Sequence, residues 1–390
     1  MTTLKQTLGG NLRQYGIVGA LAVIVLLFQV LTDGKLLLPN NLASLFQQNA
    51  YVMVLAIGMV IVIIAGHIDL SVGSVVAFVG GATALLMTEQ GIPWYWAVVA
   101  AVVLGALVGV WQGFWVAYVG IPAFIVTLGG MLIFRGLAIV IVGVTVAGLP
   151  PEFVAISGGS VTNALGYVGD RDVVTLILGA LTIGGLVANQ ALARRNLKRH
   201  DLRTEPLTLF WIKALVLAGL IGFFTWTLAA SRGGTPIVLL IVGVLIVVYS
   251  FVTQRTVFGR HVYAMGGNLQ SAVLSGVDVK KVNLMIFVNI GALAGIAGVV
   301  TTSKAGAAVA NAGNMYELDA IAACFIGGTA VTGGIGRVSG VIVGALVMGV
   351  LNMGLSIMRV DAAWQQVVKG LVLLIAVAFD LYSKRRAASR

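Results

Sequence analysis

Residues 50–88 read AYVMVLAIGMVIVIIAGHIDLSVGSVVAFVGGATALLMT. Two apolar runs, 50–66 and 68–88, flank a turn that carries His67 and Asp69. A helix rises 1.5 Å per residue and the hydrocarbon layer is about 30 Å thick, so runs of roughly this length are what a crossing helix needs. Working outward, similar runs fall at about 16–32, 94–118, 123–147, 172–192, 208–230, 236–253, 283–303, 317–333, 335–357 and 364–380. The chain of 390 residues is 59% hydrophobic and 9% charged, with a mean hydropathy of +1.04. A soluble core has no use for that much apolar sequence. The expected fold is all-α: a single polytopic transmembrane helical bundle over 1–390, with about 12 spans.

The formal net charge of +11 could suggest a nucleic-acid binder. The positions exclude that reading, because the basic residues gather in short segments beside apolar runs. One side collects Lys5, Arg13, Arg194, Arg195, Lys198, Arg199, Arg203, Arg255, Arg260, Lys280, Lys281, Lys384, Arg385, Arg386 and Arg390. The other holds Lys35, Arg171, Arg232, Lys304 and Arg359. The positive-inside rule then predicts both termini in the cytoplasm of a cell whose inner membrane holds the chain. The N-terminal run is followed by TDGKLLLPNN, without a small-x-small cleavage pattern, and is expected to remain as the first span.

The segment 148–171 is rich in Gly, Pro and Ser and reads as an irregular external loop, with 304–316 as a second. The pair of spans over 172–230 could be removed without reversing any other, which marks it as an insertion on a ten-span core. Small residues recur at four-residue spacing: Gly105, Gly109 and Gly113; Gly291 and Gly295; Gly336, Gly340 and Gly344; Gly73, Ala77 and Gly81. Such stripes let helix backbones approach where lipid supplies no drive to associate. GHIDLSVGS and GGTAVTGGIGRVSG read as short or broken helices, the kind that line a transport path.

No catalytic constellation is present. There is no G-x-x-x-x-G-K-[ST], and GGIGRVSG has the wrong spacing for a dinucleotide loop. His67, His200 and His261 lack metal spacing, and Cys324 is alone within an apolar run, where it reads as a small buried hydrophobe. Arg135 falls mid-span, as a gate contact or as a structural bridge or cap. Asp69, Glu317 and Asp319 fall at span edges, where capping helix N-termini is the plainer account. Lys369 is expected to snorkel. Gln47, Gln48, Asn49, Ser71, Ser74, Asn289, Thr329, Thr332 and Asn352 could meet hydroxyl groups along a path, with Trp111 and Trp115 as apolar faces; each alone is more often packing glue between helices.

The polar stretch FGRHVYAMGGNLQSAVLSGVDVKKV, residues 258–282, lies on the basic side. Gly266 and Gly267 should break any helix, Asn268 should cap a new one, and Gly276 should stop it. Leu269, Ala272 and Val273 then share one apolar stripe on two turns of helix. So short a helix is marginal alone and needs a surface: the membrane, the chain's own loops or a partner's groove.

FGRHVYAMGGNLQSAVLSGV resembles the cytoplasmic signature of permease subunits of bacterial ABC sugar importers, the ribose/xylose/arabinose group. GHIDLSVGSVVA, IPAFIVTLGGMLIFRGLA and ELDAIAACFIGGTAVTGGIGRVSGVIVGALVMGVLNMGL resemble further signatures of that family, in order along nearly the whole chain. The inserted pair and the ending WQQVVKGLVLLIAVAFDLYSKRR look most like the xylose and multiple-monosaccharide branch. The resemblance implies a homodimer in lipid, a periplasmic or lipid-anchored sugar-binding protein, and a separate cytoplasmic ATPase with two nucleotide-binding domains. That partner would use ATP and Mg; this chain would bind no cofactor or metal and catalyse nothing itself. The coupling loop, 254–282, would dock on the ATPase through Gly259, Arg260, Tyr263, Gly267, Asn268 and Leu274. Asp69, Ser71, Gly73, Ser74, Thr329, Gly333 and Gly334 would line the translocation path. His67 receives no role, and Lys304 stands where related permeases often carry arginine. Two rivals are a transporter driven by an ion gradient, which needs a charged relay inside the membrane, and an intramembrane enzyme or scaffold.

Overall fold

The computed structural model describes residues 12–388 apart from 162–164, 203 and 205; Lys5, Arg203 and Arg390 lie outside the described residues. The helices run α1 (Leu12–Leu31), α2 (Pro39–Ile64), α3 (Val72–Thr88), α4 (Trp94–Phe114), α5 (Ala123–Val142), α6 (Pro151–Gly158), α7 (Val173–Arg199) and α8 (Leu207–Ala229). There follow α9 (Ile237–Arg255), α10 (Val257–Gly267), α11 (Leu269–Leu274), α12 (Val279–Ala305), α13 (Tyr316–Ile326), α14 (Val338–Ile357) and α15 (Ala362–Ala388). The chain is thus an all-α polytopic bundle. Among the described residues, 8 helices are long and apolar enough to cross a membrane: α2, α4 with its π-helical end at Trp115–Val119, α5, α7, α8, α9, α12 and α14. Shorter apolar helices cover Gly16–Leu31, Val72–Thr88 and Ala362–Ala378.

The run 317–333, expected to be one span, is instead a broken element. Its helix α13 has 11 residues, roughly 16 Å, and the remaining distance is covered by non-helical chain up to Val338. Gly328, Gly333 and Gly334 all adopt positive φ in that connection, which a continuous helix cannot accommodate. Gly327, Thr329, Ala330, Gly333 and Gly336 of this irregular backbone are buried, whereas Val331, Thr332, Ile335 and Arg337 are exposed.

α2 is the axis of the bundle, with every residue from 52 to 64 buried. Around it stand α12, α13 and α14, with α4 laid against α12. The small-residue stripes explain that last pairing. A methyl at Gly105 would strike the Gly291 carbonyl, one at Gly109 the Phe287 carbonyl, and one at Gly295 the Ala101 carbonyl. Backbone meets backbone, so dispersion and close packing do the work that the hydrophobic effect does in water. Gly344 is pressed against the Ala323 carbonyl in the same manner, which fixes α14 on α13.

The segment 148–171 is not simply irregular. It holds α6, whose Phe153 is fully buried and whose Ser157 amide donates to Ser303 Oγ at 2.9 Å. Three two-residue antiparallel pairs tie loops together; β1 (Thr145–Val146) pairs with β6 (Ala308–Val309), and β2 (Ser160–Val161) with β5 (Thr235–Pro236). α7 leans mainly on α8 and buries only Thr175 and Gly179, so this pair is peripheral to the axis.

Candidate functional site: a fastened loop and a buried polar chain

The 254–282 segment is built by its caps. Thr256 Oγ1 accepts from the Gly259 amide at 3.2 Å, Asn268 Oδ1 from Ser271 at 2.9 Å, and Asp278 Oδ1 from Lys281 at 3.0 Å; these start α10, α11 and α12. Gly276 ends α11 with φ +83°. The cap and stop thus lie where the sequence places them, and the break falls at the end of the glycine pair: α10 includes both and ends at Gly267. Gly266 is a packing residue: a methyl there would enter the Ile64 carbonyl and the Gly334 amide. Of the apolar stripe on α11, only Ala272 is covered; Leu269 and Val273 are about half exposed, and Leu274 is 89% exposed.

The loop is fastened to the span ends. Tyr263 Oη donates to the Gly336 carbonyl at 2.6 Å, and Gly266 packs on the Ile64 carbonyl and the Gly334 amide, which bond each other at 2.8 Å. Burial pushes the Tyr263 phenol above its ordinary value, with Arg337 opposing more weakly, so the hydroxyl stays protonated and able to donate. The six loop residues singled out in the sequence therefore divide. Gly259, packed on the Thr253 carbonyl, and Tyr263 hold the loop to the bundle. Arg260, Gly267, Asn268 and Leu274 are exposed.

The turn between α2 and α3 begins a chain of buried hydrogen bonds. Gln112 Nε2 donates to Ser71 Oγ at 2.7 Å, and Ser71 donates from Oγ at 2.7 Å and from its amide at 2.8 Å to Asp69 Oδ1. All three residues are at most 2% exposed. Gly73 and Ser74 follow in the first turn of α3. Gly73 lies so close to the Gly313 carbonyl and the Glu317 carboxylate that no side chain fits, and Ser74 Oγ is buried with no hydrogen-bond partner. Thr329 Oγ1 is likewise buried and unpartnered, beside Gly336. Gly333 packs on the Ile64 carbonyl and the Gly66 amide. The seven residues expected along the path thus fall in two adjoining segments, 65–74 and 327–337, which meet at the end of α2. His67 stands apart from Asp69: its Nε2 bonds Asn283 Oδ1 at 2.9 Å, and no cluster of metal-ligating residues occurs among the described residues.

The charges near this chain lie close together: Glu317 is within electrostatic reach of Arg135, Asp319 and Asp69. Arg135 donates to the carbonyls of Ala312 at 2.6 Å and Ala310 at 3.3 Å, both in the loop between α12 and α13. Lys369 does not snorkel; its Nζ lies 3.1 Å from Asp319 Oδ1, and Tyr51 Oη donates to Asp319 Oδ2 at 2.7 Å. Asp69, Glu317 and Asp319 do sit at helix starts, but those starts are inside the bundle, so all three are buried. Asn49 and Asn352 bond each other at 2.9 Å, and Tyr249 bonds Asn289 at 2.5 Å: these are ties between helices. Trp111 lines an apolar groove of about 380 Å³ with Phe78 and Phe134. Cys324 is fully buried, as expected. Gln112 escaped the sequence reading, although an amide in the apolar run GVWQGFW was the available signal. Tyr51 and Tyr316 also escaped it.

Apolar helices of crossing length around a broken element and a line of buried polar groups define a multi-pass membrane protein. The chain belongs to the family described as branched-chain amino acid transport system / permease component, which matches residues 41–377. It is similar to the xylose transport system permease protein XylH of Haemophilus influenzae, 40% identical over 96% of this chain and 98% of that protein. XylH of Escherichia coli K12 is 39% identical over 97% and 94%, and the ribose import permease protein RbsC of the same organism 31% over 93% and 91%. No solved structure matches the chain.

Proposed function

We propose that this chain is the membrane-spanning subunit of an ATP-driven ABC importer for monosaccharides, xylose or a related pentose or hexose. In this reading two copies form the path, a sugar-binding protein delivers the solute, and a separate ATPase with two nucleotide-binding domains drives the cycle. The carrying observation is the 254–282 loop. It presents Leu269, Val273 and an 89% exposed Leu274 on a helix too short to stand alone, while Tyr263 and Gly266 bind it to the two turns that hold the path residues. A partner that takes hold of α11 therefore pulls on those turns. The xylose and ribose named for the relatives support a monosaccharide as cargo.

The Asp319–Lys369 pair and the group of buried carboxylates around Glu317, which lies within electrostatic reach of Asp69, Asp319 and Arg135, are what the ion-gradient rival can draw on. Against it, the charges of the pair are held by fixed partners, as Arg135 is by carbonyls.

The test is reconstitution with the ATPase and binding protein of a sugar importer and measurement of sugar-stimulated ATP hydrolysis and uptake. Leu274→Asp should abolish stimulation with the chain still folded in the membrane. Normal stimulation in that variant would remove the docking assignment, and uptake that persists without any ATPase would favour the ion-driven rival.

A further inference from the structure

About 25 Å from Ile64 along α2, by the helical rise, the bundle opens into a second polar place. Here α2, the end of α12 and the start of α13 bound a cleft of about 160 Å³ lined by Gln47, Gln48, Tyr51, Thr301, Lys304 and Tyr316. Tyr51 and Tyr316 are stacked, with centroids 3.6 Å apart and planes at 16°, which gives the cleft an aromatic wall. Gln47 is held from both ends: Oε1 accepts from Lys304 Nζ at 2.8 Å and Nε2 donates to the Gly158 carbonyl at 3.1 Å. Gln48 beside it is exposed. Thr301 Oγ1 is buried without a hydrogen-bond partner of acceptable geometry.

This set of groups describes its ligand. Amides and hydroxyls both donate and accept, so they suit a solute whose rim carries hydroxyl groups. An aromatic wall suits the C–H face of a ring. A single ammonium already bonded to an amide is poor equipment for an anion, and nothing here would hold a metal. The volume lies below the roughly 300–1,000 Å³ of pockets that enclose drug-sized molecules, so a single small ring is the occupant that fits and its hold is weak. Weak binding is what a path needs, since a solute must leave as readily as it enters.

We propose that this cleft is a monosaccharide subsite, a low-affinity station at the end of the bundle opposite the 254–282 loop. The proposal rests on the reading of the chain as a sugar importer's membrane subunit. Its test is protection from thiol modification. Gln48→Cys and, separately, Ala305→Cys place a thiol in the cleft wall, and the native Cys324 is fully buried and contributes no background. Each variant in lipid nanodiscs is treated with a negatively charged methanethiosulfonate, alone and with D-xylose, D-ribose or D-allose at millimolar concentrations. At least one monosaccharide should slow modification several-fold and saturably at both positions, with sucrose ineffective and a Leu274→Cys control unchanged. Rates that no monosaccharide alters, or that sucrose alters equally, would overturn the subsite. Uptake by the wild-type chain with its ATPase and binding protein is measured in parallel. Unprotected thiols with intact uptake sink the subsite alone; absent uptake counts against the importer reading itself.

Discussion

The hydroxyl of Tyr263 donates to the carbonyl oxygen of Gly336 at 2.6 Å, and this bond joins the 254–282 loop to the broken element between α13 and α14. Its two ends are 73 residues apart in the chain and neither lies in a long span, so the bond links the short loop helices to the break between α13 and α14.

Tyr263→Phe removes the donor and keeps the ring. The Gly336 carbonyl loses its partner, at a cost of about 1 kcal/mol, small enough for the fold to survive. The expected result is near-normal insertion and thermal stability, with sugar transported per ATP hydrolysed reduced several-fold in the reconstituted system. Because burial raises the Tyr263 pKa, the phenol stays neutral below its ordinary value near 10, so wild-type coupling through this bond should be flat from pH 6 to about 9. Unchanged stoichiometry in the variant would remove the bond from the coupling route.

Gly266→Ala and Gly267→Ala make a matched pair. A methyl at Gly266 collides with the Ile64 carbonyl and the Gly334 amide, backbone atoms that cannot yield, whereas a methyl at Gly267 meets nothing within 4 Å. Overpacking of this kind costs about 1–3 kcal/mol. The first variant should lower the melting temperature and expose the loop to protease; the second should match wild type in both. Equal behaviour of the two would show that the loop does not press on the end of α2.

His67 allows a test by pH. Burial lowers its pKa, with the Asn283 bond opposing in part, so the folded chain holds the ring neutral while the unfolded chain protonates it near 6.5. The unfolded state then binds more protons, and stability falls as pH drops below about 6.5. His67→Gln, which can still donate to Asn283, should lose less stability than wild type between pH 7.5 and 5.5 in thermal scans of the detergent-solubilised protein. Identical pH dependence would mean that the ring is not held neutral.

The long apolar helices and the small-residue stripes were legible because they are properties of one segment at a time. Asn268 and Gly276 were legible for the same reason, since a cap and a stop act on their own helix. The depth of Asp69, Glu317 and Asp319 was not. Hydropathy places an acidic residue at the edge of a run, and an edge is exposed only when the helix spans the whole membrane. α13 is half a span and starts inside the bundle, so its edge is interior. The run 317–333 hid this because apolar residues count alike in helix and in coil. Likewise no local pattern could pair Gln112 with Ser71, or Lys369 with an aspartate 50 residues earlier.

That last pair supplies the sharpest test of the interior. Asp319 has a side chain 4% exposed and Lys369 one 24% exposed, so neither charge is fully solvated in the folded chain. Removing one partner strands the other, and for buried pairs this costs about 3–5 kcal/mol, far more than the intact pair contributes over a neutral replacement. Lys369→Met leaves Asp319 with Tyr51 as its remaining partner and should sharply reduce both the yield of folded protein and its melting temperature. Asp319→Asn keeps an oxygen that accepts from Tyr51 and removes the stranded charge. The double variant should therefore recover most of the stability that Lys369→Met loses, a coupling readable in a double-mutant cycle of melting temperatures. If the two single losses simply add in the double variant, the ion pair is incidental, and α15 is held to α13 by packing alone.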